Sequence, residues 1–177
     1  RKRHLVPFGE YFPVPETVRE WMRMMSLPNR DLSDGDDVRP LLQTRGGVKL
    51  SVAICYEDAY GAEQLYALPD AGILVNVSND AWFGDSIAPH QHLQIARMRS
   101  LEAGRHTIRA TNTGISAFIG PKGKIHETGD QFVPVTMTRE VQPYQGSTPY
   151  TVIGNWLVLI LSSVILGVFW IRSRANL

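Results

Sequence analysis

Cysteine is almost absent from this chain, with one thiol, Cys55, in 177 residues. A single cysteine excludes an intramolecular disulfide and any metal cluster of the CxxC type. A surplus of either charge is missing too. The 18 Lys and Arg nearly balance the 17 Asp and Glu, giving a net charge of +1, so there is no electrostatic case for a nucleic-acid partner. The first residues, Arg1-Lys2-Arg3-His4, carry no Met, no signal peptide and no helix start. The expectation is a fragment that begins inside a domain. Its length suffices for one domain with a core plus an additional segment.

One long run has no charge at all. Val152 to Ile171, VIGNWLVLILSSVILGVFWI, is 20 residues interrupted only by Asn155, Ser162 and Ser163 among polar side chains. At about 1.5 Å per residue such a helix spans the roughly 30 Å apolar core of a bilayer. Tyr150, Trp156 and Trp170 fall near its ends, where aromatic belts lie, and Arg172 and Arg174 follow directly. By the positive-inside rule the tail 172–177 is expected in the cytoplasm and the preceding domain on the far side, the periplasm of a Gram-negative cell. The chain is thus divided into a domain at 1–145, a linker at 146–151, a transmembrane helix at 152–171 and a short tail.

The domain is organised around Val48 to Asp58. Val48, Leu50, Val52 and Ile54 alternate with Lys49, Ser51 and Ala53, the period of a strand. The run stops at Cys55, and Glu57-Asp58 supply the acidic first turn that a helix favours. A thiol at such a junction sits near backbone N–H groups without helical partners, which can hold negative charge and an oxyanion. It can equally be a buried structural thiol. The strand alone leaves both readings open.

The rest of the chain alternates strands and helices, the pattern of an α/β domain. Leu5 to Pro13 is an apolar loop broken by two prolines and a glycine. Glu16 to Met25 places Val18, Trp21, Met22 and Met25 at helical spacing, a stripe read as core or membrane-surface contact. Asn29 to Asp37 is a polar turn. Ala59 to Leu68 is expected as a short helix ending at Pro69, and Ile73 to Ser78 as the second strand. Asn79 to Asp85 is a loop with exposed Trp82 and Phe83. Pro89 to Ala103 is a helix with Leu93, Ala96, Ser100 and Leu101 on one face and Gly104 as its stop. Residues 108–114 lead into a third strand, Ile115 to Ile119, which returns through Gly120-Pro121-Lys122-Gly123 to Lys124-Ile125-His126 as a hairpin. Phe132 to Val141 is a further extended segment. His90 and His92, two apart, are poorly spaced for a shared metal and read as structural or hydrogen-bonding groups, as does His4. No metal and no organic cofactor are expected.

Lys2-x-His4-Leu5-Val6-Pro7-Phe8-Gly9-Glu10, followed by Cys55-Tyr56-Glu57, resembles the carbon–nitrogen hydrolase (nitrilase) superfamily. Ser78-Asn79-Asp80-Ala81-Trp82-Phe83-Gly84 and Arg109-Ala110-Thr111-Asn112-Thr113-Gly114 narrow the likeness to its apolipoprotein N-acyltransferase branch. The likeness covers most of residues 2–145. It implies a nitrilase-like αββα sandwich, incomplete at the N-terminus here, and a Glu-Lys-Cys triad. Cys55 takes the nucleophile position and Lys2 the lysine position. Glu10 matches a second glutamate that orients the lysine and the substrate amine, and Glu57 sits in a motif needed for activity. The general-base glutamate belongs upstream of the lysine motif, outside this sequence, so neither Glu10 nor Glu57 inherits that role.

The implied reaction moves a fatty acyl chain from a phospholipid donor to the α-amino group of a diacylglyceryl apolipoprotein acceptor. It would take place in the bacterial inner membrane, within a multi-pass protein. A cysteine splits the transfer into two steps through a thioester, more reactive towards an amine than an ester is. Tyr56, Phe8, Trp82 and Phe83 are the expected substrate-binding residues, with Tyr11 and Phe12 as further candidates for an acyl groove, although core packing also suits each aromatic. Two rivals stand beside this reading. One is a membrane-anchored amidase with water as acceptor. The other is a catalytically silent tethered binding module.

Overall fold

The computed structural model describes residues 1–25, 32–36 and 40–175. Its centre is one mixed sheet of six strands in sequence order: β1 (Leu42–Gln43), β2 (Lys49–Ile54), β3 (Ile73–Ser78), β4 (His106–Thr111), β5 (Ala117–Ile119) and β6 (Ile125–Thr128). β2, β3 and β4 run parallel, and the outer pairs are antiparallel. The parallel strands need crossovers. Two 3-10 segments, Cys55–Ala59 and Gly61–Ala67, make the first, and helix α2 (Ala88–Ala103) makes the second.

The register places Ala53, Asn76 and Arg109 side by side across β2, β3 and β4. These residues, with Ser51, Leu74 and Thr107, form the buried face of the sheet. Helix α2 covers that face with Leu93, Ala96 and Ser100, and a core of Leu93, Ala96, Ile115, Ala117 and Ile119 closes beneath it. Ser100 donates its hydroxyl to Thr107 at 2.5 Å, fixing the helix against β4. The opposite face presents Leu50, Val52, Ile54, Val75 and Ile108, all half-buried. Strands that are apolar on this face as well as covered on the other belong to a layered sandwich.

β4 is the element that the sequence hid. Residues 108–114 read as a lead-in because the inward positions of the strand, Thr107 and Arg109, are polar rather than apolar. They face buried charges, so the usual alternation is inverted. β2, β3, β5 and β6 fall close to where the periodicity puts them, whereas the two-residue β1 has no counterpart among the expected strands and Phe132 to Val141 joins no strand. Residues 59–68 form 3-10 rather than α-helix. Helix α2 ends as expected, with Gly104 in the left-handed region at φ +61 and its N–H bonded to carbonyls of the last turn. Leu101, placed on the buried face by its spacing, is exposed, because it stands about 100° around the helix from Ser100.

Helix α1 (Glu16–Met24) forms where its spacing puts it, and of the two readings of its stripe the structure removes the core one. Val18, Trp21 and Met25 are exposed, Trp21 at 52%, so the stripe is not core, while the side chain of Met22 lies outside the described residues. Of the polar stretch 29–37, only 32–36 is described.

At the other end the presumed linker is partly helical. Helix α3 (Pro149–Ile153) is capped by Thr148, whose hydroxyl accepts the Thr151 N–H at 3.2 Å and donates to the Glu102 carbonyl of α2. Arg105 ties the preceding segment down, donating to the carbonyls of Ala71 at 2.7 Å and Gly146 at 2.7 Å. Gly154, at φ +60, breaks the chain before helix α4 (Trp156–Ala175). The apolar helix therefore starts four residues later than the uncharged run suggests, and Arg172 and Arg174 form its last turn. Trp156–Arg174 is long and apolar enough to cross a membrane.

Candidate active site

Cys55, which directly follows β2 and opens the 3-10 segment, has φ +56. A non-glycine residue in this region is uncommon and costs on the order of 1 kcal/mol or more. It turns the chain sharply, from strand into 3-10 helix, and leaves the side chain at the carboxyl edge of the parallel strands. The other two motifs reach the same edge: Ser78 to Phe83 leaves β3 there, and Thr111 to Gly114 leaves β4. Open α/β sheets place their ligand sites at this edge.

The lysine loop docks on the cysteine turn through Glu57, which is 3% exposed. One oxygen of its carboxylate accepts the Ile54 N–H at 2.6 Å. The other accepts the backbone N–H groups of Arg3 and, at 3.4 Å, of His4. Both oxygens are thus committed to backbone donors. Arg3 and His4 also reach Glu63, at 2.5 and 3.0 Å, and the His4 ring stacks on Tyr60 at 4.6 Å. Within the docked loop, Lys2 donates to Glu10 at 2.6 Å, and the same Glu10 oxygen accepts the Val6 N–H at 2.7 Å. Glu10 therefore anchors the ammonium and folds the loop around it.

Glu10 and Cys55 open into one cavity of about 640 Å³. Val6, Pro7, Tyr56, Trp82, Phe83, Ala88 and Ile95 give it an apolar wall, with Gln91 and His92 as polar members. Three of the four expected substrate-binding residues, Tyr56, Trp82 and Phe83, are on it. Phe8 is not: it is 70% exposed and packs edge-on against Phe12 at 6.3 Å. Its left-handed backbone, φ +62, turns the ring outward from the loop. Tyr11 lines a separate cleft with Arg3, Arg19 and Tyr60. A second large concavity, about 610 Å³, lies over Lys49, Asp70 and Pro143 and contains none of the residues above.

Trp82 and Phe83 are placed by a polar zipper between the two downstream motifs. The Asn112 side chain accepts the Asp80 N–H at 3.1 Å and donates to Asn79 at 2.6 Å, and Asn79 accepts the Ala81 N–H at 3.2 Å. Ser78 donates to Asp80 at 2.6 Å. Gly114 passes so close that a Cβ there would stand 2.2 Å from Asp80 Oδ2. A side chain at 114 is therefore excluded.

Beneath Cys55 lies a buried set of Asp58, Asn76, Asp80, His92 and Arg109, in which His92 is the hydrogen-bonding group expected of it and the other four have no part in the expected site. His92 sits 2.9 Å from Asp58 and 3.0 Å from Asp80, one carboxylate on each ring nitrogen. Arg109 donates to Asp80 at 2.8 Å and to Asn76, and Asn76 donates to the Cys55 carbonyl at 3.3 Å. Burial works to raise the Asp80 carboxyl, but hydrogen bonds from His92 and Ser78 and the Arg109 charge outweigh it and hold it low. One signal was available: DAWFGD and RATNTG each carry a charged residue at an inward strand or turn position.

The chain matches the carbon-nitrogen hydrolase family over residues 1–150 and belongs to it. Its curated relatives are more specific. It is 45% identical over 175 residues to the apolipoprotein N-acyltransferase of Methylococcus capsulatus, covering 99% of this chain and 34% of the relative. It is 47% identical over 167 residues to that of Nitrosomonas europaea, covering 94% and 33%. The chain thus spans about a third of the length of the curated relatives it matches. Among solved structures it is similar to the E41L mutant of an amidase from Nesterenkonia sp. AN1, with a TM-score of 0.51, 18% identity and coverage of 74% of this chain and 45% of that one. At that identity the likeness supports the α/β nitrilase fold and nothing further.

Proposed function

We propose that this chain carries the nucleophile, lysine and acyl-chain wall of an enzyme that N-acylates the lipidated N-terminal cysteine of apolipoproteins, using a phospholipid as donor. One observation carries the reading. A cysteine on a left-handed turn and the Glu10 that anchors Lys2 open together into a cavity whose remaining wall is largely apolar, with Gln91 and His92 as its polar members. A small polar amide has no use for a lining of this kind, whereas a fatty chain does.

The chemistry runs in two displacements. The Cys55 thiolate attacks the ester carbonyl carbon of the phospholipid. The tetrahedral oxyanion collapses, the ester C–O bond breaks, and the lysophospholipid alkoxide leaves with a proton. The α-amino group of the acceptor then attacks the thioester carbonyl, forms the amide and releases the Cys55 sulfur. Lys2 supplies positive charge for the thiolate and the oxyanion. Glu10 positions Lys2, and Glu57 positions the whole lysine loop against the turn. A carboxylate base takes the thiol proton and returns it to the leaving lysophospholipid; Glu10, bound to Lys2, and Glu57, bound to backbone N–H groups, are not assigned that role. The helix Trp156–Arg174 holds the domain at the inner membrane, with the domain periplasmic and Arg172 and Arg174 cytoplasmic.

Intact mass spectrometry of the full-length protein after incubation with phospholipid tests this. The expected result is a mass gain of one acyl chain, released by hydroxylamine and missing in Cys55→Ser. No adduct on a protein that hydrolyses small amides would instead identify an anchored amidase, and neither adduct nor turnover would identify a silent module.

A further inference from the structure

Under the cysteine turn lies a closed group of four ionisable side chains that no step above uses: Asp58, Asp80, His92 and Arg109. All four are buried, and His92, the most exposed of them, shows 8% of its surface. We propose that His92 is held as an imidazolium bridging Asp58 and Asp80, and that this bridge positions the Cys55 turn for nucleophilic attack.

The geometry requires the charged ring. Nδ1 faces Asp80 Oδ1 at 3.0 Å and Nε2 faces Asp58 Oδ1 at 2.9 Å. A neutral imidazole has one N–H, so one of its nitrogens would turn a lone pair towards a carboxylate. The imidazolium donates on both sides. Charge gives the same answer. Arg109 alone balances one of the two carboxylates, and an uncompensated buried anion is costly. With His92 positive, two anions meet two cations. The groups facing His92 are Asp58 from the turn after β2, Asp80 from the turn after β3 and Arg109 from β4, with Glu10, Cys55 and Tyr56 sharing its cavity wall. Burial and Arg109 favour the neutral ring, but the hydrogen bonds to both aspartates prevail and push His92 up to about 9.

The bridge reaches the nucleophile through the backbone. His92 Nε2 lies 3.3 Å from the Cys55 carbonyl, which Asn76 also holds at 3.3 Å. These two contacts fix the carbonyl of a residue whose own φ is unfavourable. His92 is accordingly a positioning residue: it acts through the turn and not on the substrate.

The proposal rests on Cys55 as nucleophile, but its test needs no lipid. In the purified full-length protein, the rate of Cys55 alkylation by iodoacetamide is followed by peptide mass spectrometry at neutral pH. Two variants are compared, His92→Gln and the double variant His92→Gln with Asp58→Asn. The single variant removes the cation and is expected to alkylate about tenfold more slowly. The double variant restores the balance, leaving Asp80 with Arg109, and is expected to recover to within about threefold of wild type. Wild-type rates in His92→Gln overturn the proposal. So does a slow double variant, because the role of His92 would then be packing and not charge. Should His92→Gln fail to fold, the double variant decides alone: folded and reactive supports the bridge, unfolded or slow overturns it. A wild-type Cys55 that does not alkylate overturns it too. The phospholipid adduct measured in parallel reads the acyl-transfer reading independently.

Discussion

The Glu57 carboxylate accepts the backbone N–H of Arg3, 54 residues away in sequence, while its other oxygen accepts the Ile54 N–H directly before Cys55. One side chain thereby fastens the lysine loop to the cysteine turn. The acid of the cysteine motif is thus a clamp, and its substitution should disturb two strategic segments at once.

Glu57→Gln is the sharper probe of that clamp. The amide nitrogen it introduces must face a backbone donor on one side, leaving a buried N–H unsatisfied at a cost of about 1–3 kcal/mol. Acyl-adduct formation on Cys55 should fall by about 5- to 100-fold, with a modest loss of thermal stability. Rates near wild type in Glu57→Gln would show that the loop docks without it.

Gly114→Ala should damage the site from a distance. Its Cβ would press on Asp80 at 2.2 Å, and that carboxylate has Arg109, His92 and Ser78 as partners and nowhere to retreat. A loss of about 2 kcal/mol or more is expected, measured as a lowered midpoint of thermal or chemical unfolding. Gly146→Ala, where a Cβ would meet nothing within 4 Å, is the contrasting control, limited to the strain of φ +91.

Stability should depend on pH through His92. Its proton is held up to about 9 in the fold against 6.5 in the unfolded chain. The contribution is complete below about pH 6.5, declines as the unfolded ring loses its proton, and is gone above about pH 9. Its size is on the order of 3 kcal/mol. Asp80 works in the opposite direction: its lowered carboxyl adds stability above its ordinary range, and that stability is lost on acidification. Unfolding of wild type between pH 6 and 9.5 should show this fall, and His92→Gln should flatten it.

Trp82→Ala and Phe83→Ala should discriminate by chain length. Both rings line the cavity while half exposed to solvent, so truncation removes wall without emptying a core. KM for long-chain phospholipids should rise several-fold, about 1 kcal/mol of lost apolar contact, with short-chain donors little affected. Equal effects on both would assign the rings to packing. Phe8→Ala, outside the wall, should leave KM unchanged.

Much of this was legible from residues alone. The β2 alternation ending on Cys55, the Pro- and Gly-broken loop carrying Lys2 and Glu10, and the Gly104 stop of α2 are local signals, and local physics decides them. What stayed hidden depends on long-range partners. Arg109 reads as part of a lead-in to the next strand until Asp58, Asp80 and Asn76 are seen around it. His92 looks like any helix histidine until two aspartates from separate turns close on its ring. The exposure of Trp21 and the outward turn of Phe8 were likewise invisible to spacing, since a helical stripe or an apolar loop states only which residues share a side.

The sheet has two unlike faces, and the contrast sets how the chain can vary. On β3, Leu74 and Asn76 point to the covered side while Val75 and Val77 point to the other, and β4 repeats the division with Arg109 and Ile108. The apolar positions ask only for bulk and shape, so Val, Ile and Leu are nearly interchangeable there. Asn76, Thr107 and Arg109 are instead each bonded to a specific partner. Tolerance to mutation should therefore flicker with a period of two along each parallel strand, permissive and strict by turns, as though two different texts were interleaved in one line of residues.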